Sequence, residues 1–172
     1  MKSLILLRHG KSDRPAGMAD HERPLAQRGR RAAEAMGRFV AAAGQVPDVA
    51  ATSTAVRARD TLRIACEAGR WSCRVREDPA LYDALPGDVL AVVRAEDAGT
   101  ERLLLVGHEP TLSETLALLV GGGSLRFPTA AALLVELDVG AWDEVAPGTG
   151  ELAWLLPPRL LHPAPDPEAR GP

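Results

Sequence analysis

Two short apolar runs constrain the fold of this chain more than any other feature. Residues 3–7 read Ser-Leu-Ile-Leu-Leu and residues 102–107 read Arg-Leu-Leu-Leu-Val-Gly, with no alternation of polar and apolar side chains. Strands of this type are buried on both faces, as they are in a parallel sheet covered by helices. Four further strands are predicted, at residues 48–52, 72–76, 131–137 and 151–156, the last two open to antiparallel pairing.

Segments with a helical pattern separate these strands. Residues 24–44 carry apolar side chains on one face at helical spacing. Three further helices are predicted, at residues 53–68, 86–97 and 110–121. For the first of these, Ser53 or Thr54 is the expected N-cap and Gly69 the expected stop. The alternation of strands and helices predicts an α/β fold, a three-layer α/β/α sandwich around a mostly parallel central sheet.

The length of 172 residues fits one domain, which we assign to residues 1–162. Residues 157–172 contain six prolines, and proline-rich sequence continues neither a helix nor a sheet. We therefore expect residues 163–172 to form a loose tail.

Charge and hydropathy exclude several classes of protein. The net charge of −3 disfavours bulk binding to nucleic acid, which needs clustered basic charge. No apolar run approaches the roughly 20 residues that span a bilayer, so no association with a membrane is expected. The N-terminus lacks the apolar core of a signal peptide, and Cys66 and Cys73 lack the spacing of a metal or redox motif. These features predict a cytoplasmic protein with free thiols, and we expect it to be a monomer.

Basic residues are concentrated in the first part of the chain. Residues 1–63 contain 12 Lys and Arg against 6 Asp and Glu, whereas the remainder contains 8 against 17. Nearly all the basic residues are arginines, whose guanidinium groups make bidentate contacts with carboxylates and phosphates. Two interpretations stay open for the bulk of this excess. It is either a solvated helix face, which includes Arg28, Arg30, Arg31 and Arg38, or a surface that steers an anionic substrate.

Arginine and histidine residues follow three of the predicted strands. Arg8 and His9 follow the first strand, His108 follows the strand at 102–107, and Arg57 lies early in the helix after the strand at 48–52. In an open α/β sheet, ligands lie outside the carboxyl ends of the strands. If the three strands are parallel neighbours, these four side chains meet in one pocket.

Such a pocket suits a doubly negative tetrahedral group, because two guanidiniums and a helix N-terminus all attract anions. The cationic neighbours also disfavour a further positive charge, and are expected to keep one imidazole neutral. A neutral imidazole is a nucleophile. Gly10, directly after His9, lacks a side chain where the backbone approaches the ligand.

Four segments of the chain, in order, resemble motifs of the histidine phosphatase (phosphoglycerate mutase-like) superfamily. Residues 4–10 (Leu-Ile-Leu-Leu-Arg-His-Gly) carry its signature, and residues 53–61 (Ser-Thr-Ala-Val-Arg-Ala-Arg-Asp-Thr) are similar to its second segment. Residues 105–112 (Leu-Val-Gly-His-Glu-Pro-Thr-Leu) and 23–29 (Arg-Pro-Leu-Ala-Gln-Arg-Gly) resemble the SixA-type phosphohistidine phosphatases in particular. The resemblance covers about residues 3–136 and implies a phosphoglycerate mutase-like fold.

The resemblance implies a role for each matching position. His9 is expected to be the nucleophile that becomes phosphorylated, and Arg8 and Arg57 to bind the phosphate. His108 is expected to donate a hydrogen bond to the phosphoryl oxygens. No metal and no cofactor are implied.

Three residues depart from the family pattern. Ala26 replaces a threonine that would cap the first helix, Asp60 replaces a glutamine, and Glu109 replaces an asparagine after the second histidine. Without its cap, the first helix is expected to be weaker by about 1 kcal/mol. The extra carboxylate of Glu109 is expected to raise the pKa of His108.

The general acid of the family has no matching residue in this sequence. The mutase-like branches supply a glutamate from a long insert, but only 51 positions separate Arg57 from His108 here. Glu109, Asp13 and Asp83 are the candidates by proximity. An imidazole leaving from phosphohistidine needs far less proton donation than an alkoxide, because it is much less basic.

The sequence therefore predicts a metal-independent phosphatase that acts on a phosphohistidine-bearing protein through a phosphorylated histidine of its own. Two alternatives stay open. One is a phosphatase of a small phosphorylated metabolite on the same fold, and the other is a phosphate-binding module without turnover.

Overall fold

The computed structural model of the protein describes residues 1–161, so that His162 and the predicted tail at 163–172 lie outside the described residues. These residues form one mixed sheet of six strands with four α-helices. The strands are β1 (Lys2–Arg8), β2 (Val49–Thr52), β3 (Arg74–Glu77), β4 (Arg102–Gly107), β5 (Ala132–Leu137) and β6 (Gly150–Leu156). The helices are α1 (Gln27–Ala42), α2 (Val56–Gly69), α3 (Pro86–Arg94) and α4 (Thr111–Leu119).

The strand order is β3-β2-β4-β1-β5-β6. The first four of these pair in parallel, whereas β5 is antiparallel to both of its neighbours. The two apolar runs of the sequence, β1 and β4, lie side by side at the centre, in register from Ser3 opposite Arg102 to Arg8 opposite Gly107. Their apolar residues are fully buried, so the prediction of two-sided burial is confirmed.

Helices cover both faces of the sheet. Leu4 and Leu6 of β1 point into a core that contains residues of α3 and α4, whereas Ile5 and Leu7 point into a second core that contains residues of α1 and α2. Alternate residues of one strand therefore belong to different layers, as the pleat requires. The predicted three-layer α/β/α sandwich is confirmed. Within residues 1–161, none of the helices combines the length and the apolarity needed to cross a membrane.

The ends of α2 differ from the prediction. The helix begins at Val56 after Ala55, and no side chain caps it. Ser53 and Thr54 were the expected caps, but their hydroxyls contact histidines instead. At the other end Gly69 is still helical, and Arg70 takes the left-handed conformation with φ of 51°.

Gly69 is needed for packing rather than for the helix stop. A Cβ at this position would overlap the backbone oxygen of Gly37 and the indole of Trp71.

The helix α1 is shorter than predicted, because residues 24–26 are held extended beside the loop after β1. Ser12 bridges Leu25, and the Ala26 amide donates to the Lys11 carbonyl over 2.8 Å. The uncapped start of α1 at Ala26 is as predicted.

Candidate active site

The carboxyl ends of the three neighbouring strands β2, β4 and β1 bring the predicted residues together. Arg8 ends β1, His9 follows it, and His108 follows β4. Arg57 lies in the first turn of α2, directly after β2. The His9 and His108 rings have centroids 5.1 Å apart, and Arg57 Nη2 lies 3.4 Å from His108 Nδ1. All four side chains line one cavity of about 500 Å³.

One nitrogen of the His9 ring is hydrogen-bonded, and the other is free. Its Nδ1 lies 2.7 Å from the carbonyl oxygen of Gly10, which can only accept, so Nδ1 carries the proton. Among the described residues none hydrogen-bonds Nε2, whose lone pair is therefore available. Burial lowers the pKa of His9 to about 3, with smaller contributions in the same direction from His108, Arg57 and Arg8. The ring is thus neutral mainly because it is desolvated, and less because of the cationic neighbours that the sequence suggested.

Gly10 has a packing reason to be glycine. Its amide donates to Thr61 Oγ1 over 2.9 Å, and an added Cβ would lie 2.8 Å from the backbone oxygen of Gly29 in α1. Thr61 Oγ1 in turn donates to the Arg57 carbonyl over 2.7 Å. The missing side chain therefore lets α1 approach the His9 turn, whereas the sequence suggested that it made room for a ligand.

The His108 ring is also neutral. A guanidinium can only donate, so the contact with Arg57 leaves Nδ1 as an acceptor, and Nε2 carries the proton that it donates to Ser53 Oγ over 2.8 Å. Burial lowers the pKa of His108 to about 4, Arg57 and Arg8 act in the same direction, and Asp20 opposes them. Two neutral imidazoles, rather than one, therefore face each other in the cavity.

Glu109 does not act on His108 as expected. Its carboxylate accepts from the Ser113 amide over 2.9 Å and from the Ser113 hydroxyl over 2.8 Å, at the start of α4. The predicted rise in the pKa of His108 is wrong, because that pKa is lowered and Glu109 is turned toward the helix. Asp60, the second departure from the family pattern, lies between Arg30 and Arg63 at distances of 4.0 and 3.5 Å.

The two arginines are positioned by different partners. Arg57, whose side chain is 8% exposed, donates from Nη1 to the Asp20 carbonyl over 2.6 Å and from Nη2 to its carboxylate over 2.9 Å. Arg8 donates from Nη1 to the Phe127 carbonyl over 2.8 Å. The Nε atom of Arg8 is buried and has no hydrogen-bond partner among the described residues.

Sequence reasoning missed Asp20 and Tyr82, which also line the cavity. Asp20 accepts from Arg23 over 2.8 Å, and Tyr82 donates its hydroxyl to Asp20 over 3.2 Å. Hydrogen bonds from Arg23 and Arg57 lower the pKa of Asp20 to about 2, so this carboxylate is ionised. Asp20 belongs to a polar loop whose sequence shows no periodicity. Only its contacts in the folded protein identify it as a residue of the site.

His21 is half-buried beside the cavity residue Tyr82. Its Nε2 lies 2.9 Å from Thr54 Oγ1, and its ring packs edge-on against Tyr82 with centroids 4.7 Å apart. Tyr82 in turn packs edge-on against His108 at 5.8 Å. Contacts with Thr54, Arg57 and Tyr82 therefore hold the loop that carries Asp20 and His21 beside the cavity.

The three candidates for a general acid differ in placement. Glu109 and Asp83 line the cavity. Asp13 is not among the described residues that line it. The carboxylate of Glu109 is occupied by Ser113, and the ionised Asp20 is not a proton donor. Asp83 is the remaining acid of the three on the cavity wall.

Comparisons with known proteins agree with this geometry. The family model described as "Histidine phosphatase superfamily (branch 1)" matches residues 4–92. An uncharacterised protein of Mycobacterium tuberculosis is 36% identical over 163 residues, which cover 89% of this chain and all of that protein.

Two solved structures share the fold. The putative phosphohistidine phosphatase SixA from Nakamurella multipartitia is 30% identical, with a TM-score of 0.80 over 91% of this chain and 96% of that one. A mycobacterial glucosyl-3-phosphoglycerate phosphatase is 19% identical, with a TM-score of 0.63 over 88% of this chain and 97% of that one. The motifs, the fold and these matches together place the chain in the histidine phosphatase superfamily, and its fold is SixA-like.

Proposed function

We propose that this protein is a phosphohistidine phosphatase that works through phosphorylation of its own His9. One observation carries the proposal: a half-buried, neutral imidazole whose Nδ1 is hydrogen-bonded to the Gly10 carbonyl presents its free Nε2 in a cavity whose lining includes Arg8 and Arg57. A neutral imidazole is a nucleophile, and the hydrogen bond at Nδ1 fixes the direction in which its other nitrogen points. The family membership of the chain and its likeness to a putative SixA protein support the same reaction.

In the first step, His9 Nε2 attacks the phosphorus atom and the bond to the leaving nitrogen of the substrate breaks. The substrate's phosphorylated ring carries a proton on its other nitrogen, so the electron pair of the broken bond leaves a neutral imidazole. Arg8 and Arg57 bind the phosphoryl oxygens, where negative charge is held in the transition state. His108 contributes once its Nδ1 takes up a proton, which the approach of a dianion favours by raising the ring's pKa.

In the second step, water attacks phospho-His9 and inorganic phosphate is released. Phosphorylation at Nε2 leaves the ring positively charged, with its remaining proton on Nδ1. The Gly10 carbonyl, 2.7 Å from Nδ1, accepts that proton in a hydrogen bond and stabilises the charged ring. The same contact thus orients the nucleophile and stabilises the intermediate.

Two of the four acids that line the cavity are already engaged, which favours a weakly basic leaving group. Asp20 is ionised and Glu109 is bound by Ser113, so Asp83 and Glu114 are the remaining candidates for a proton donor. An alkoxide that leaves without a proton donor loses a rate factor of about 10² to 10⁴. An imidazole, with a conjugate-acid pKa near 6.5, departs without that help.

A comparison of matched substrates tests the proposal. The purified protein is given peptides of one sequence that carry either phosphohistidine or phosphoserine, and phosphate release is measured. We expect phosphohistidine to react at least about 100-fold faster. Equal rates would contradict the leaving-group argument, and rapid turnover of a small sugar phosphate alone would favour a metabolite phosphatase. Binding of phosphate without any turnover would identify a non-catalytic module.

A further inference from the structure

A second cavity, of about 550 Å³, opens beside the active site. Its lining includes five cations, and we call this region the cationic groove (Arg8, Lys11, Arg28, Arg126 and Arg159). No aspartate or glutamate among the described residues lines it. The active-site cavity, by contrast, includes four carboxylates: Asp20, Asp83, Glu109 and Glu114.

The positive charge of the groove comes from four separate parts of the chain. Lys11 follows β1, Arg28 lies in the first turn of α1, Arg126 precedes β5, and Arg159 lies in a short 3-10 helix after β6. The chain as a whole has a net charge of −3, so composition alone does not explain a wholly cationic cluster. Like charges held together without counter-charges repel one another, and such a cluster is typical of a surface that binds an anion.

The groove is continuous with the active site. Arg8, Lys11 and Thr129 line both cavities. Lys11, Arg28, Arg126 and Arg159 are exposed, and none of the four forms a salt bridge with another described residue. A substrate whose phosphoryl group lies at His9 therefore reaches these side chains without leaving the surface of the protein.

We propose that the cationic groove binds an acidic polypeptide segment that flanks the phosphohistidine of a substrate protein. This inference rests on the proposed function and names what the enzyme recognises besides the phosphoryl group. The exposed arginines line a cavity of about 550 Å³, which is large enough to hold several carboxylates of one polypeptide segment. Their guanidinium groups also suit the planar geometry of carboxylates. Because they are exposed, they act mainly on association and their effect is screened by salt.

The test reverses two charges of the groove, in an Arg126→Glu, Arg159→Glu double variant. The matched control is Arg31→Glu, Arg38→Glu, which makes the same charge change at exposed positions of α1 that do not line the groove. Three substrates are compared: a phosphohistidine peptide with Asp and Glu flanks, the same peptide with Asn and Gln flanks, and phosphoramidate. A milder variant, Arg126→Gln, Arg159→Gln, guards against misfolding, and unchanged phosphoramidate turnover reports an intact active site.

For the acidic peptide we expect the groove variant to lower kcat/KM by about tenfold or more at low salt, and the deficit to shrink at high salt. The neutral peptide, phosphoramidate and the control variant should change less than about twofold. A loss shared by all three substrates, or an equal loss in the control, would overturn the inference.

A binding measurement separates this inference from the proposed function. The anisotropy of a labelled acidic peptide without phosphate reports its affinity for the wild-type protein and for the variants. If no phosphorylated substrate turns over but the groove variant still loses affinity for this peptide, the proposed function fails and the groove assignment stands. If phosphohistidine is hydrolysed but the peptide binds both proteins equally, the groove assignment fails alone.

Discussion

The active-site cavity and the cationic groove share Arg8, but they hold their charges in opposite ways. In the cavity, Arg57 is nearly buried, paired with Asp20, and accompanied by two neutral imidazoles. In the groove, the four cations other than Arg8 are exposed and no described carboxylate lines it. Buried charges act at short range and are little screened by salt, whereas exposed ones act at long range and are strongly screened. The two regions are therefore suited to different tasks, chemistry in the first and recognition in the second.

The largest expected effect is at the nucleophile. His9→Ala removes the only side chain proposed to form a bond with phosphorus, so turnover of a phosphohistidine peptide should fall by a factor on the order of 10⁴ or more. Binding of phosphate should change little, because Arg8 and Arg57 remain. Steady-state kinetics and calorimetric titration with phosphate measure the two. Turnover near that of the wild type would remove His9 from the nucleophile role.

A substitution at Arg57 tests whether the nearly buried charge of the cavity is insensitive to salt. Arg57→Lys keeps the charge but loses the fork that contacts Asp20 through two nitrogens, and kcat/KM should fall by about 100-fold. Because the side chain is nearly buried, the ratio to the wild type should be the same at low and high salt. A loss that salt abolishes would mean that Arg57 acts as the groove residues do.

The depressed histidine pKa values predict how stability depends on pH. Above pH 6.5, the ordinary histidine value, His9 and His108 are neutral in both the folded and the unfolded chain. As the pH falls, the unfolded chain takes up protons first, because the folded pKa values are about 3 and about 4. The free energy of unfolding should decline from about pH 6.5 downward, until the folded rings also protonate.

Urea unfolding at a series of pH values measures this decline. The matched variant is His9→Gln, in which one of the two titrating rings is absent. Its free energy of unfolding should fall less steeply between about pH 6 and pH 4. Equal slopes in the wild type and the variant would mean that His9 protonates normally in the folded protein.

The smallest expected effect is at the start of α1. Ala26 occupies the N-cap with extended backbone and no side-chain hydrogen bond. Ala26→Ser should raise the free energy of unfolding by about 1 kcal/mol, without changing turnover or its salt dependence. Thermal and urea denaturation measure the gain. An unchanged stability would mean that these first-turn amides are already satisfied.

Much of the fold could be predicted because its signals are local. The two uninterrupted apolar runs predicted the central strands β1 and β4, and the strand exits predicted which side chains would converge. That inference needed only strand direction and adjacency, which parallel βα units largely dictate.

Other parts of the site depend on contacts that no local pattern encodes. Asp20 and Arg57 are 37 residues apart, and the loop that carries Asp20 has no periodicity. Ser53 was expected to cap a helix, but its hydroxyl accepts from His108. Burial, which dominates the pKa values of both imidazoles, is a property of the assembled fold.

Mapping the trapped phosphoenzyme tests the central claim most directly. The protein is mixed with a phosphohistidine peptide, quenched in base within the first turnover, digested and analysed by mass spectrometry, with ³¹P NMR of the intact intermediate to assign the ring nitrogen. We predict an acid-labile, base-stable phosphate on Nε2 of His9, absent from the His9→Ala variant. Phosphate on His108, or rapid turnover with no phosphorylated protein at any time, would contradict it.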